Sequence, residues 1–432
     1  MQHAARTISK GADVAAIIEQ ERSIPVSGSY DVVVVGGGIA GCAAALAAVR
    51  DGARTLLIER GFAPGGLATI GNVNVYLPLC DGVGNQVTGG IAEELLLLSV
   101  ADDPAAVPKR WRKSPTATAG RTDKSAAVVG HWGGSRDAQR YRVNFWPATL
   151  IMELERILLR EGVTLSYDTR FCDVMKESGK IRYIIVENKD GRSAIEGRAF
   201  VDAGGDADLC ARCGENTELL DTNVRSSWYF ILDKGKFRRV TWTKHFTRDG
   251  SAPEGDTYLY DGTCAADVTR HMIDTRACIY DSVRELRDSD DAGDVHPLWM
   301  PDMPSFRMTR RLVAPYTLRF EDAGRRFEDS LGMFASWRES GLVFGLPYRT
   351  LYAAATANLA VAGRCISAAG KAWDLTRAIP ACALSGEAAG LAASRLSNVA
   401  SSFADLDPAD LRTTLVKRGA ILDASLLTPA KE

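Results

Sequence analysis

The segment Val32-Val-Val-Val-Gly36-Gly37-Gly38-Ile-Ala-Gly41 constrains this chain more than any other. The β-branched run Tyr30 to Val35 reads as a strand buried on both faces, as in a parallel sheet. Glycines end it, and the alanine-rich stretch Ile39 to Arg50, with no breaker after Gly41, reads as a helix able to lie close to a sheet. A second strand, Thr55 to Ile58, completes a β-α-β unit. Each glycine meets a separate need: Gly36 permits a tight turn, Gly38 lets backbone approach a pyrophosphate, and Gly41 lets helix and strand pack closely. The helix start at Ile39 and Ala40 offers unpaired N–H groups to phosphates. Glu59, after the second strand, accepts hydrogen bonds from ribose hydroxyls and repels a 2′-phosphate, and the adjoining Arg60 does not overturn that. The spacing therefore predicts FAD or NAD rather than NADP.

With 432 residues the chain has room for two or three domains, and 46% hydrophobic residues supply a large core. Its 52 basic and 54 acidic side chains nearly cancel, which gives no electrostatic reason to expect nucleic acid or an anionic membrane as partner and suits a small-molecule substrate. Met1 to Gln20 lacks the cationic start and apolar run of a secretory signal, and apolar stretches such as Glu94 to Val100 fall short of a membrane span, so a cytoplasmic protein is expected. Nine cysteines without regular spacing argue against a disulfide framework. Cys210 and Cys213 form one Cys-x-x-Cys pair, but a tetrahedral metal site needs further ligands, so no metal is expected and buried packing is the favoured reading over redox chemistry.

Residues 1–29 read as an N-terminal extension. The Gly-, Asn- and Pro-rich stretch 61–90 suits a loop around a ligand, and Ile91 to Val100 a helix. Residues 101–145 read as a loop or lid. Pro147 opens a helix through Arg160, and strands are expected at Thr164 to Tyr167, Ile181 to Val186 and Ala199 to Asp202. Residues 211–345 lose the βαβ rhythm and read as a mixed α+β substrate or cap domain with a helix around Val268 to Arg287. The strand Asn358 to Ala362 and the helix Cys382 to Leu396 return to the first fold. The expected class is α/β: a Rossmann-like nucleotide domain assembled from 30–210 and 346–432, with the cap at 211–345 between them.

Further segments carry a resemblance: Gly65-Gly-Leu-Ala-Thr-Ile-Gly71, Gly84-Asn-Gln-Val-Thr-Gly-Gly-Ile-Ala-Glu-Glu94, Val201-Asp-Ala-Gly-Gly-Asp206, Arg307-Met-Thr-Arg-Arg311, Leu346-Pro-Tyr-Arg349 and Asn358-Leu-Ala-Val-Ala-Gly-Arg-Cys-Ile-Ser367. From Tyr30 to about Leu422 the chain resembles the FAD-dependent oxidoreductases with a glutathione-reductase-like nucleotide fold. The resemblance implies FAD, with the loop Gly65, Gly66, Leu67, Ala68 running along the pyrophosphate towards the flavin ring. It places Asp202, Ala203 and Gly204 near the adenosine half and the Phe171 backbone at the adenine edge. Gly363 and Arg364 are similar to the C-terminal flavin motif, with Arg377, Ala378 and Ile379 where the family presents backbone to the isoalloxazine. Met308 stands where relatives commonly have an acid, and Lys371 to Thr376 departs from the usual Gly and Ser pattern. One complete fingerprint implies one flavin and one substrate face.

Flavin carries two-electron chemistry, which leaves the protein to orient the substrate and move a proton. Arg307, Arg310 and Arg311 lie in a strand-like stretch where guanidinium forks either hold a carboxylate and steady an anionic reduced flavin or form a structural salt-bridge cluster. His131, in Gly130-His-Trp-Gly-Gly134, and Tyr348 are the candidate proton carriers. The leading expectation is hydride transfer between a small organic substrate and flavin N5, with a separate protein as a possible electron donor or acceptor. An NAD-dependent dehydrogenase and a non-catalytic flavin-binding electron-transfer subunit stay open at this stage; the chain lacks four-cysteine cluster motifs, so an iron–sulfur relay would need another subunit.

Overall fold

The computed structural model describes residues 20–83, 85–102, 143–243, 247–252, 258–288 and 294–427, so most of the expected N-terminal extension and of the expected lid lies outside the described residues. The opening unit is β1 (Val26–Val35), α1 (Ile39–Arg50) and β2 (Thr55–Ile58), with helix and second strand at their expected bounds and β1 starting at Val26 rather than Tyr30. Then come β3 (Val75–Tyr76), α2 (Ile91–Ser99), β4 (Val143–Asn144) and α3 (Pro147–Arg160), the last opening on its proline as expected. Next are β5 (Thr164–Ser166), β6 (Arg170–Glu177), β7 (Lys180–Asn188), β8 (Gly191–Asp202) and α4 (Asp208–Arg212). The middle of the chain forms β9 (Thr217–Leu219), β10 (Ser226–Asp233), β11 (Lys236–Thr243), α5 (Ala265–Asp288) and β12 (Val295–Trp299). It closes with β13 (Arg310–Leu312), β14 (Ser330–Ala335), β15 (Val343–Pro347), β16 (Leu359–Val361), α6 (Gly370–Thr376), α7 (Ile379–Val399) and α8 (Pro408–Lys417).

The main sheet runs β5-β2-β1-β8-β7-β6, with β16 also on β8. β5, β2, β1, β8 and β16 are parallel to their neighbours, while β6, β7 and β8 pair antiparallel. β8 divides its pairing: Gly191 to Glu196 face β7, and Phe200 to Asp202 face β16. The registers Val35↔Ile58, Val35↔Asp202 and Val361↔Asp202 bring four strand ends level along the carboxyl edge of the sheet. Val32 to Val35 and all of β2 are buried, as strands covered on both faces must be. The α/β class with a mixed sheet is therefore the observed one.

α1 is buried from Ile39 to Ala48 and packs along α7. Gly386 and Gly390 of α7 follow Ala40 and Ala44 of α1 in ascending order, so the two helices are parallel, α1 beginning at the carboxyl edge and α7 about 9 Å ahead of it. A side-chain carbon on Gly386 or Gly390 would lie 2.2 or 2.1 Å from the carbonyl oxygens of Ala40 and Ala44. The contact is backbone on backbone. Glu387 of α7 reaches α2, where its Oε2 accepts the Ile91 N–H at 2.9 Å, and burial pushes its carboxyl up to about 7.

Met308, Leu312, Phe327, Leu331 and Phe344, from the stretch 211–345, pack in the main core with Val33, Leu46 and Phe200. A smaller core of Tyr229, Ile231, Ile279, Val283 and Val295 joins β10, α5 and β12. Two sequence expectations are settled here. The strand near the arginine cluster covers Arg310–Leu312 and leaves Arg307 outside it, a correction. Cys210 and Cys213 are buried free thiols at the end of α4, both pushed up chiefly by burial, so they pack as neutral groups, as the favoured reading had it. No helix among the described residues is long and apolar enough to cross a membrane.

Gly390→Ala tests the helix contact. Alanine normally stabilises a helix interior by about 1 kcal/mol over glycine. Here the clash reverses the sign, and urea unfolding should show a loss of about 1–3 kcal/mol at an unchanged m-value.

Candidate functional site

The turn after β1 is shaped by glycines. Gly36 has φ +102°, and a side-chain carbon there would meet the Ala203 carbonyl oxygen at 2.7 Å. One on Gly41 would sit 1.8 Å from the Gly36 carbonyl oxygen. Gly38 differs: a side-chain carbon on it would meet nothing within 4 Å, so its face is open. Gly38 is the N-cap of α1 and supplies no side-chain cap, leaving the first N–H groups of the helix, Ile39 and Ala40 among them, for an anion.

A second glycine loop lies on the first. Gly65 N–H donates to the Gly37 carbonyl at 2.7 Å, and a carbon on Gly66 would come 3.1 Å from Gly38 Cα. Both glycines have positive φ, and the chain turns through Gly66–Ala68 as a short 3-10 helix containing Leu67 and Ala68. Glu59 closes the cradle: Oε2 accepts from Gly37 N–H and Oε1 from Gly61 N–H, both at 2.7 Å. Arg60 follows it, exposed. Thr169 N–H donates to the Glu59 carbonyl at 3.0 Å, which carries β6 and Phe171, paired with Val186, to the same side. At the end of β8, Ala203 N–H donates to the Val35 carbonyl. Asp202 accepts from Gly204 N–H and Cys210 N–H, each at 3.1 Å. Burial lifts the Asp202 carboxyl to about 6.

The C-terminal motif meets these groups. Gly363, at φ +82°, donates its N–H to Ser385 Oγ at 2.9 Å, and a carbon on it would press against Ala40 Cβ at 2.8 Å. Arg364 ties three segments: Nε donates to the Gly205 carbonyl, Nη1 to the Phe306 carbonyl and Nη2 to Asp206 Oδ1. Arg377 follows α6, Ala378 caps α7 and Ile379 is its first residue. Sequence reasoning thus named two strand-end turns, two glycine loops and one helix start, and the fold gathers them at one edge.

The substrate-side candidates separate. Arg310 pairs with Asp208 and donates to the Asp206 carbonyl, and Arg311 pairs with Glu218, so both are held in structural ion pairs. Tyr348 is corrected as a proton carrier: the residue is 2% exposed, its hydroxyl donates to the Phe403 carbonyl at 2.7 Å, and burial pushes that hydroxyl up. His131 lies outside the described residues. Arg307 points elsewhere from Arg310 and Arg311. Burial first, then the like charges of Arg377 and Arg338, bring its guanidinium down to about 9, against the pull of Asp374.

Two members of that cluster, Arg338 and Asp374, were missed from sequence. Asp374 is buried, and its Oδ2 pairs with Arg338 Nε while its Oδ1 pairs with Arg377. Burial alone would raise Asp374, but Arg377 and Arg338 hold it below the usual carboxylate range. Arg338 also stacks on Trp337 at 3.9 Å. The i,i+3 spacing of Asp374 and Arg377 was the one sequence signal available. Asn72 was missed too. It sits just past the second glycine loop at φ +59°, fully buried, with Nδ2 on the Trp228 carbonyl and Oδ1 unpartnered.

Several known proteins are similar to this chain. Thioredoxin reductase of Ureaplasma parvum serovar 3 is 30% identical over 105 residues, 23% of this chain and 34% of that protein, so the chain spans about a third of its length. Among solved structures, a geranylgeranyl bacteriochlorophyll reductase-like protein of Thermoplasma acidophilum aligns over 93% of this chain and 90% of its own at 12% identity and TM-score 0.41. Sdh1 of Mycobacterium smegmatis aligns over 89% and 72% at 15% identity and TM-score 0.44. The family model described as FAD dependent oxidoreductase matches residues 31–227 and 220–415, nearly the whole described fold, and the chain belongs to that family: it is an FAD-dependent oxidoreductase.

Proposed function

We propose that this enzyme moves a hydride between a small organic substrate and flavin N5, at the carboxyl edge of the main sheet beside Arg307 and Arg338. The observation that carries the reading is the open face of Gly38 between the α1 N-terminus and the Gly65–Gly66 loop. The residues present fit FAD. The α1 N-terminus with Gly36, Gly38 and Gly41 would take the pyrophosphate, Glu59 the ribose, and Phe171, Ala203 and Gly204 the adenosine side. Gly65 to Ala68, Gly363, Arg364 and Arg377 to Ile379 would line the flavin half. FAD, when bound, supplies the two-electron chemistry.

The chain's own contribution is positional and electrostatic. Asn72 presents a buried carboxamide oxygen with no protein donor, next to the flavin-side loop, where a donor on flavin or substrate completes it. Asp302 N–H donates to the Ile70 carbonyl at 2.8 Å and Asn72 holds the Trp228 carbonyl, so the middle of the chain closes over that loop and keeps bulk water from it. A separate electron acceptor or donor protein completes the turnover in this reading.

The purified protein should show the visible bands of oxidised flavin, heat should release a nucleotide with the mass of FAD, and a substrate should bleach the bands anaerobically. A colourless protein that also fails to take up added FAD overturns the reading. Two glycine variants sharpen it. Gly38→Ala places its methyl in open space at an ordinary φ of −64°, so stability should stay within about 0.5 kcal/mol while FAD content falls at least roughly tenfold. Gly41→Ala, facing a backbone oxygen, should instead lose the fold itself, read as lost soluble yield or a lowered Tm.

A further inference from the structure

Resting on the hydride-transfer reading, we propose that the substrate is a carboxylate, anchored through its carboxyl group by the terminal nitrogens of Arg338, with Arg307 and Arg377 alongside. Asp374 is fully engaged: one oxygen serves Arg377 and the other serves Arg338. Arg338 meets it through Nε alone, and its Nη1 and Nη2 have no partner among the described residues. The Arg338 side chain is 21% exposed, enough to be reached from outside, while Trp337 beneath it fixes the plane of the fork. A guanidinium held flat with two parallel N–H groups free is matched by a planar carboxylate.

Charge points the same way. Arg338 and Arg377 both act on Arg307 and on Asp374, so three arginines meet in this half-buried place. The ion pairs of Arg310 and Arg311, a few residues away in sequence, are matched one to one. Neighbouring cations raise the local concentration of an anion there. A singly charged planar ion loses less hydration there than a phosphate dianion, which favours a carboxylate.

The place suits the chemistry. Arg377 directly precedes Ala378 and Ile379 at the start of α7, and Arg307 follows Phe306, whose carbonyl is held by Arg364 of the flavin motif. A carboxylate held at Arg338 leaves the rest of a small acid to extend towards the flavin-side loop, where a carbon-bound hydrogen is exchanged.

The test uses the FAD-loaded protein, with FAD content measured first. Benzoate, malonate and acetate are titrated against the flavin absorption bands and by calorimetry, with benzamide as neutral control and inorganic phosphate as the alternative anion. At least one carboxylate should saturate, benzamide should not, and Arg338→Gln should weaken the carboxylate by roughly tenfold or more with FAD content unchanged. Arg338→Lys should recover part of the affinity. If Arg338→Gln loses FAD, Arg307→Gln is measured in its place, with the same expectation. The proposal is overturned if no carboxylate binds the FAD-loaded protein, if phosphate binds and carboxylates do not, or if the variants bind carboxylates as the parent does. It is also overturned if they shift only the flavin potential, which would assign the arginines to the reduced flavin. Absence of FAD from the parent protein would instead sink the oxidoreductase reading beneath it.

Discussion

The close approach of α1 and α7 is the constraint on which the other features depend. Without side chains on Gly386 and Gly390, backbone of one helix rests on backbone of the other at Ala40 and Ala44. The two helices therefore run parallel, and α7 starts about 9 Å ahead of α1, beyond the edge where β1, β2, β8 and β16 end. The N-terminal partial positive charge of α1 lies at the turn after β1, where the open face of Gly38 suits an anionic group. Gly363 settles against Ala40 for the same reason, so the C-terminal motif is placed by packing before any cofactor contact is made.

Electrostatics around this crevice falls into two kinds. Asp206, Asp208 and Glu218 each take an arginine, and those pairs join α4 and β9 to β13 and the turn after β8 to the turn after β16. Such pairs mainly avoid the penalty of an unmatched buried charge and set which segments meet. Asp374 instead serves two arginines at once, Arg338 on one oxygen and Arg377 on the other.

The nucleotide half was legible in the sequence because its signals are local. A valine run, three glycines and an alanine-rich stretch settle β1 and α1 within a span that needs no distant partner, and Pro147 marks α3 in the same way. The arginine cluster was not legible, because Arg307, Arg338, Asp374 and Arg377 come from separate segments that only the tertiary fold brings together. Adjacency in sequence left both readings of the arginines open for the same reason: Arg310 and Arg311 share a strand and pair with Asp208 and Glu218, while Arg307 lies with Arg338 and Arg377. Tyr348 misled because a hydroxyl in a short turn looks accessible, whereas its neighbours Tyr352 and Phe403 enclose it. β6 was missed since its side chains are mostly exposed or half-buried and lack a clean alternation.

Arg364 gives the molecule a mechanical property. One side chain grips Gly205 beside the adenosine-side turn, Asp206 next to it, and Phe306 just ahead of Arg307. The two ends of the crevice are thereby coupled through a single tie rod, and neither can swing outward without breaking its charge-assisted hydrogen bonds.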